Sequence, residues 1–229
     1  MRVAAIQGSS LIDFPGRLAA IVYTQGCPYD CFYCHNRSLI AVHPHGGQVD
    51  LKKFLKSRVG LLDGVVITGG EPTIHKGLAE NLSMIRELGF ATKLDTNGCN
   101  PKHVHALLQT DLVDYLALDV KAVPSEYQTV CGQAARWSAV EKTLKLLRDS
   151  SIQWEVRTTV YPGMQGEDLQ TIAALIGEAP LWRLNAFRYP TEYKSEDRDR
   201  LEQRVLTEEA LKRWMENHRA LIRARRVTT

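Results

Sequence analysis

The sequence predicts an α/β protein built on a parallel sheet with helical crossovers. Three observations carry this. Six short apolar, β-branched runs recur along the chain, segments of helical period separate them, and polar or cysteine-bearing residues close five of the runs in succession. The runs are Leu18–Thr24, Val65–Thr68, Thr92–Asp95, Tyr115–Val120, Trp154–Val160 and Trp182–Phe187. Between them, Leu78, Leu82, Ile85 and Leu88 share one helical face, as do Trp137, Val140, Leu144 and Leu147. Leu169, Ile172 and Ile176 repeat the pattern more briefly. Six strands fit either an open doubly wound sheet or an incomplete barrel. No G-x-G-x-x-G follows the first run and no P-loop occurs, which removes the commonest cofactor signatures of open sheets. A full eight-stranded barrel would need more chain than 229 residues leave.

Composition narrows the function classes. Lys and Arg number 29 against 26 Asp and Glu, a net charge of +3, too weak an excess to argue for nucleic acid. No apolar run approaches the roughly 18 residues of a membrane helix. The opening MRVAAIQGSS lacks the apolar core of a signal peptide, so a cytoplasmic protein is expected. One domain over residues 1–229 is the natural reading, with an N-terminal extension at 1–17, a core at 18–190 and a basic C-terminal helix at 195–229. Leu211, Trp214, Met215, His218 and Ile222 share a helical face, which either docks on the core or meets a partner. Arg223 to Thr229 are expected to fray.

The cysteines carry the strongest chemical signal. Cys27, Cys31 and Cys34 lie in a C-x3-C-x2-C spacing directly after the first strand, whereas Cys99 and Cys131 stand apart and read as small buried residues. Thiolates suit zinc or iron–sulfur clusters. Structural zinc wants four ligands, for which His35, His43 or His45 could complete the set. A cubane on three cysteines instead leaves one iron open to a ligand.

Further strand ends carry matching chemistry. In Thr68-Gly69-Gly70-Glu71-Pro72 the glycines let a backbone approach a ligand and the carboxylate can take an ammonium group, although the segment also reads as a turn. Lys93-Leu94-Asp95-Thr96-Asn97-Gly98 ends the third strand in an Asn-Gly turn. Asp119 and Lys121, two apart on the fourth, share a face and could pair with each other. Arg157 on the fifth can clamp a carboxylate or join an ion pair.

CPYDCFYC resembles the cluster motif of the radical S-adenosylmethionine (SAM) superfamily, with Tyr33 as the aromatic residue before the last cysteine. His35-Asn36 extends the resemblance to the activases of glycyl radical enzymes. From Gly8 to Phe187, through Ile12-Asp13-Phe14-Pro15-Gly16 and the segments KLDTNG, DYLALDVK and EVRTTV, the chain is most similar to the activating proteins of anaerobic ribonucleoside-triphosphate reductase. Pyruvate formate-lyase activases share the Cys-His-Asn and Asp-Thr-Asn-Gly segments.

The resemblance implies an open-sided, partial (β/α)6 TIM-like barrel. It implies a 4Fe–4S cluster on Cys27, Cys31 and Cys34, with SAM at the open iron. It assigns Tyr33, Gly69, Gly70, Glu71, Asp95, Asp119, Lys121 and Arg157 to SAM, Glu71 to its amino group and Arg157 to its carboxylate. Asp95, Thr96 and Asp119 match positions that hold a monovalent cation in pyruvate formate-lyase activases. On the sixth strand Asn185, Phe187 and Arg188 occupy the corresponding place, without the histidine that some members use. The implied reaction passes one electron to the sulfonium, giving methionine and a 5′-deoxyadenosyl radical that takes a hydrogen atom from a glycine on a partner enzyme. The expected partners are that glycyl radical enzyme and a flavodoxin or ferredoxin-type electron donor, with no membrane involved. Other readings are an activase of pyruvate formate-lyase, a radical modifier of a small molecule or nucleic-acid base, and a zinc-stabilised binding module.

Overall fold

The structure, a computed structural model, describes residues 1–43 and 49–218 and the backbone of 225–228. Among the described residues, eight strands form one sheet: β1 (Val3–Ser10), β2 (Ala19–Thr24), β3 (Gly64–Gly69), β4 (Ala91–Thr96), β5 (Tyr115–Asp119), β6 (Gln153–Val160), β7 (Trp182–Ala186) and β8 (Arg225–Thr228). The helices are α1 (Leu51–Lys56), α2 (Leu78–Glu87), α3 (Pro101–Leu108), α4 (Tyr127–Cys131), α5 (Trp137–Arg148), α6 (Gly166–Ile176), α7 (Arg198–Leu201) and α8 (Glu208–Asn217).

The order of the strands decides between the two architectures. They lie side by side in chain order, β1 to β8, with parallel pairing from β2 onward. A doubly wound sheet reverses its order at a switch point. Here every crossover steps in the same direction, so the sheet winds as a barrel wall. β1 and β8 are its two ends and do not pair with each other, so the barrel stays open-sided.

Both faces of the wall are covered, which is why the strands read as continuous apolar runs rather than alternating ones. Val22, Val65, Ile67, Leu94, Leu116 and Leu118 face the main core, where they meet Leu82 and Ile85 of α2, Val140 and Leu144 of α5, and Leu169 and Ile172 of α6. The opposite residues, Ile21, Val66 and Tyr115, join Phe14 and Ala19 in a smaller cluster inside the barrel. The helix caps agree with the pattern: Asp50 accepts from Lys53 N, Asn100 from His103 N and Thr207 from Ala210 N.

Two elements differ from expectation. The N-terminal extension contains β1, antiparallel to β2 with two register irregularities. Its Gly8-Ser9-Ser10 end and half-exposed side chains hide the strand pattern. Arg225–Thr228, expected to fray, pairs in parallel with β7. A run of Arg, Val and Thr carries no apolar signal, so its pairing partner alone makes it a strand. The C-terminal helix docks: Leu211 and Met215 of α8 are buried, and Trp214 meets Trp182 edge-on at 6.1 Å. Ile222 lies outside the described residues. Among the described residues, no helix is long and apolar enough to cross a membrane.

Below the mouth of the barrel sits a buried ion pair, with Arg183 Nε and Nη2 donating to Glu155 Oε2 at 3.2 and 3.0 Å. Removing one member leaves the other charge uncompensated. Arg183→Met is expected to cost about 3–5 kcal/mol in urea unfolding, and adding Glu155→Met to recover most of that loss.

Candidate functional site

The cysteine loop follows β2 and is held from four sides. Gly26, at φ 91°, turns the chain out of the sheet. Gly26 N and Cys27 N donate to Leu39 O and Ile40 O at 2.8 and 3.1 Å, closing the loop on its own return. Asp30 N and Phe32 N donate to Cys131 O and Val130 O at 2.8 and 3.2 Å, fastening its middle to α4. Asp30 accepts from both Arg37 and Lys194. The Arg200 guanidinium lies 3.9 Å from the Phe32 ring centroid, and Tyr33 stacks on Tyr161 at 5.1 Å. Backbone, ionic and aromatic contacts therefore fix the loop that carries the three cysteines.

The fourth side is the end of β3. Gly70 N donates to Thr24 O at 2.8 Å and Glu71 N to Gly26 O at 2.7 Å. A Cβ on Gly70 would stand 2.2 Å from Gly26 O, and one on Gly69 would stand 2.4 Å from Thr24 N. The two glycines are thus required by the cysteine loop itself, whatever ligand their backbone also meets.

Glu71 is the most deeply buried of the residues expected to meet SAM. Its side chain is 0% exposed. Oε1 accepts from Thr73 N, Thr73 Oγ1 and Thr96 Oγ1 at 3.0, 2.6 and 2.7 Å, and Oε2 accepts from Asn97 N at 2.7 Å. Both oxygens are occupied by protein donors. Burial raises its pKa, and the hydrogen bonds from Thr73, Asn97 and Thr96 oppose that rise. Asn97 also directs its Nδ2 at Cys27 Sγ, 3.6 Å away.

The remaining strand ends meet in one charge network. Arg157 Nη1 donates to Asp95 Oδ2 at 2.8 Å, and its Nε to Asp119 Oδ1 at 2.9 Å. Lys121 Nζ donates to Asp119 Oδ2 at 3.1 Å, and Lys93 Nζ pairs with Asp95 Oδ1. The ion pairs allowed by the sequence are therefore present. They also face a cavity of about 420 Å³, lined by Cys27, Cys31, Cys34, Tyr33, Gly69, Gly70, Glu71, Asp95, Asp119, Lys121 and Arg157. Every predicted site residue lines it. Of the sixth-strand candidates Asn185 and Arg188 line it too, while Phe187 turns to Tyr189.

The thiols sit in surroundings that disfavour free thiolates. Burial pushes Cys27 up to about 12, with Glu71 adding to it. Cys31 is raised well above the thiol range by a hydrogen bond with Cys131 and by burial, and Cys34 by burial and Cys31. Metal binding would displace these protons. Among the described residues, no three His, Cys, Asp or Glu side chains converge as for a single ion. A tetrahedral zinc draws its thiolates to about 2.3 Å from one point, whereas a cluster spreads them over separate irons. His35 lines the cavity, His43 gives its backbone N–H to Gln25 Oε1, and His45 lies outside the described residues. The Tyr33 hydroxyl is buried with no hydrogen-bond partner, and the residue borders the cavity. Three cysteines and a wall of paired charges around one cavity fit a cluster with a polar ligand beside it.

Several contributors were not legible as site residues. Ile12 and Asp13, from the β1–β2 connection, line the cavity mouth. Asn97 gave only a turn signal, and nothing local tied it to Cys27. Tyr161 stacks on Tyr33 across the fold, a contact that no spacing announces.

A parallel barrel wall whose strand ends gather three cysteines and a paired charge network defines a class, and the comparisons agree on it. The radical SAM superfamily model matches residues 21–176, so the chain belongs to that superfamily. A Methanocaldococcus jannaschii protein named as a candidate glycyl-radical enzyme activating enzyme is 31% identical over 201 residues, covering 85% of this chain and 83% of the relative. The pyruvate formate-lyase-activating enzyme of Clostridium pasteurianum is 28% identical over 188 residues, 76% of each chain. Within the superfamily the chain belongs to the glycyl-radical enzyme activating enzymes. Streptococcus suis SuiB, solved bound to S-adenosylmethionine, shares the fold at a TM-score of 0.71 and 16% identity, over 91% of this chain and 49% of SuiB.

Two outcomes follow from this geometry. Gly70→Ala is expected to destabilise the fold by about 1–3 kcal/mol in thermal unfolding, whereas Gly8→Ala, whose Cβ meets nothing within 4 Å, leaves it unchanged. Burial opposes ionisation of Asp119, but Arg157 and Lys121 outweigh it and bring the pKa from 3.8 down to about 2. Its contribution to stability is therefore full above about pH 4 and lost as the pH falls toward 2. Asp119→Asn is expected to flatten that part of the acid limb in urea unfolding of the cluster-free protein.

Proposed function

We propose that the cavity holds a 4Fe–4S cluster on Cys27, Cys31 and Cys34 with SAM beside it, and that the chain installs a glycyl radical on an anaerobic ribonucleoside-triphosphate reductase. The observation that supports this most is the meeting of the cysteine loop and the Asp95–Arg157–Asp119–Lys121 network in one cavity at the same ends of the strands. The Ile12–Gly16 stretch, which resembles reductase activases, supplies Ile12 to that cavity's mouth and favours this target.

When bound, the reduced cluster and SAM supply one-electron cleavage of the sulfonium and hydrogen-atom abstraction from a glycine. The protein's work is to bind, orient and shield. The cysteine loop offers three thiolates and leaves a fourth coordination position to SAM. Gly69 and Gly70 bring main-chain atoms close to the ligand, and Tyr33 offers its hydroxyl. Glu71 acts from behind, fixing the ends of β3 and β4 rather than touching the amino group. Arg157 is held by Asp95 and Asp119 through Nη1 and Nε, which leaves Nη2 for a carboxylate. Asp119 and Lys121 complete the polar wall. The open side of the barrel admits a loop of a macromolecular substrate. A flavodoxin or ferredoxin-type protein delivers the electron, and the reaction takes place in the cytoplasm.

The test combines reduced protein, SAM and an anaerobic ribonucleoside-triphosphate reductase, without oxygen. The expected result is a glycyl radical by EPR, with about one 5′-deoxyadenosine formed per radical. Cys27→Ala, Cys31→Ala and Cys34→Ala are each expected to lose the iron–sulfur absorbance and the radical together. SAM cleavage with no radical on the reductase would instead favour modification of a small molecule or nucleic-acid base.

A further inference from the structure

We propose that Lys93 is a built-in substitute for a monovalent metal ion, so that this chain binds its cofactor without Na⁺ or K⁺. The inference rests on the reading of the cavity as a SAM site. Asp95, Thr96 and Asp119 match the cation-binding positions of pyruvate formate-lyase activases, yet the geometry here does not fit a metal ion. Every side-chain oxygen of the three is already engaged. Asp95 Oδ1 takes Lys93 Nζ, and Oδ2 takes Arg157 Nη1 at 2.8 Å. Asp119 Oδ1 takes Arg157 Nε at 2.9 Å, and Oδ2 takes Lys121 Nζ at 3.1 Å. Thr96 Oγ1 donates to Glu71 Oε1 at 2.7 Å and accepts from Gly98 N at 3.1 Å. A hard cation needs several oxygens turned toward one point. The four carboxylate oxygens turn toward three different cations of the protein, and the Thr96 hydroxyl toward Glu71 and Gly98.

Lys93 is the unexpected member of the set. It stands two residues before Asp95 on β4, so both side chains project to the same face of the sheet. Its side chain is 1% exposed, and it is not among the residues lining the cavity. The ammonium therefore approaches Asp95 from inside the barrel, beneath the ligand space, with the Tyr115 ring centroid 5.8 Å away. An ammonium buried this deeply is tolerated when a carboxylate meets it. Without Lys93, the carboxylates of Glu71, Asp95 and Asp119 would exceed Arg157 and Lys121 by one negative charge. With it, the six groups balance. A ligand that carries a carboxylate into the cavity then meets no net negative charge, a condition that a bound metal ion would otherwise have to supply.

The experiment uses the cluster-loaded protein at constant ionic strength, with choline, Na⁺ or K⁺ as the principal cation. SAM affinity is read by equilibrium dialysis, and cation binding separately by thallium-205 NMR with Tl⁺ as the probe. For the wild type, SAM affinity is expected to stay within about twofold across the three salts, with no saturable Tl⁺ site. Lys93→Met keeps the length and removes the charge. In choline it is expected to bind SAM about tenfold more weakly, with K⁺ restoring most of the loss. A saturable Tl⁺ site in the wild type, displaced by K⁺, would overturn the proposal, as would undiminished SAM affinity of Lys93→Met in choline. Should that variant fail to fold, the wild-type Tl⁺ measurement decides alone. It also separates this proposal from the cavity assignment, because Tl⁺ binding is read without SAM.

Discussion

The buried carboxylate of Glu71 is the point on which the cavity is assembled. It accepts from Thr73 just after β3 and from Thr96 and Asn97 at the end of β4, while its own backbone N–H holds the cysteine loop through Gly26 O. One residue thus joins three segments far apart in sequence. The arrangement stabilises only while all its donors are present, because a buried carboxylate left partly unpaired is costly. It also explains why two glycines precede Glu71. The N–H groups of Gly70 and Glu71 can reach the carbonyls of Thr24 and Gly26 only if no Cβ intervenes.

A second layer of the same logic runs across the barrel. Asp95, Asp119 and Arg157 come from three consecutive strands whose parallel register sets Asp119 beside Arg157. Parallel strands deliver their C-terminal ends to one side, so chemistry spread over the chain converges without any long-range motif. The aromatic contacts of Phe32 and Tyr33 with Arg200 and Tyr161 then close the loop from the side of the later elements. Fold and site share the same contacts, and a change that loosens the loop would be felt as lost stability as well as lost activity.

The six core strands and the faces of α2, α5 and α6 were legible because burial on both sides of the wall leaves apolar runs bounded by turns. β1 and β8 were not, since edge strands rich in Gly, Ser, Arg and Thr take their identity from a neighbour. The site was legible to the extent that its residues cluster locally, as in CPYDCFYC, or close a strand. What Glu71 touches was not: a carboxylate after two glycines gives no local sign of its hydrogen bonds to Thr73, Thr96 and Asn97. In the sequence Lys93 reads only as part of a strand-ending segment, because its role depends on the depth at which β4 places it.

The central claim is that Cys27, Cys31 and Cys34 hold a cluster with one iron open to SAM. It is tested most directly by EPR of the anaerobically reconstituted, reduced protein recorded with and without SAM. The account predicts a cluster signal whose shape and position change when SAM is added. A protein that assembles no cluster, or a cluster whose spectrum is indifferent to SAM, would contradict it and return the three cysteines to structural metal binding.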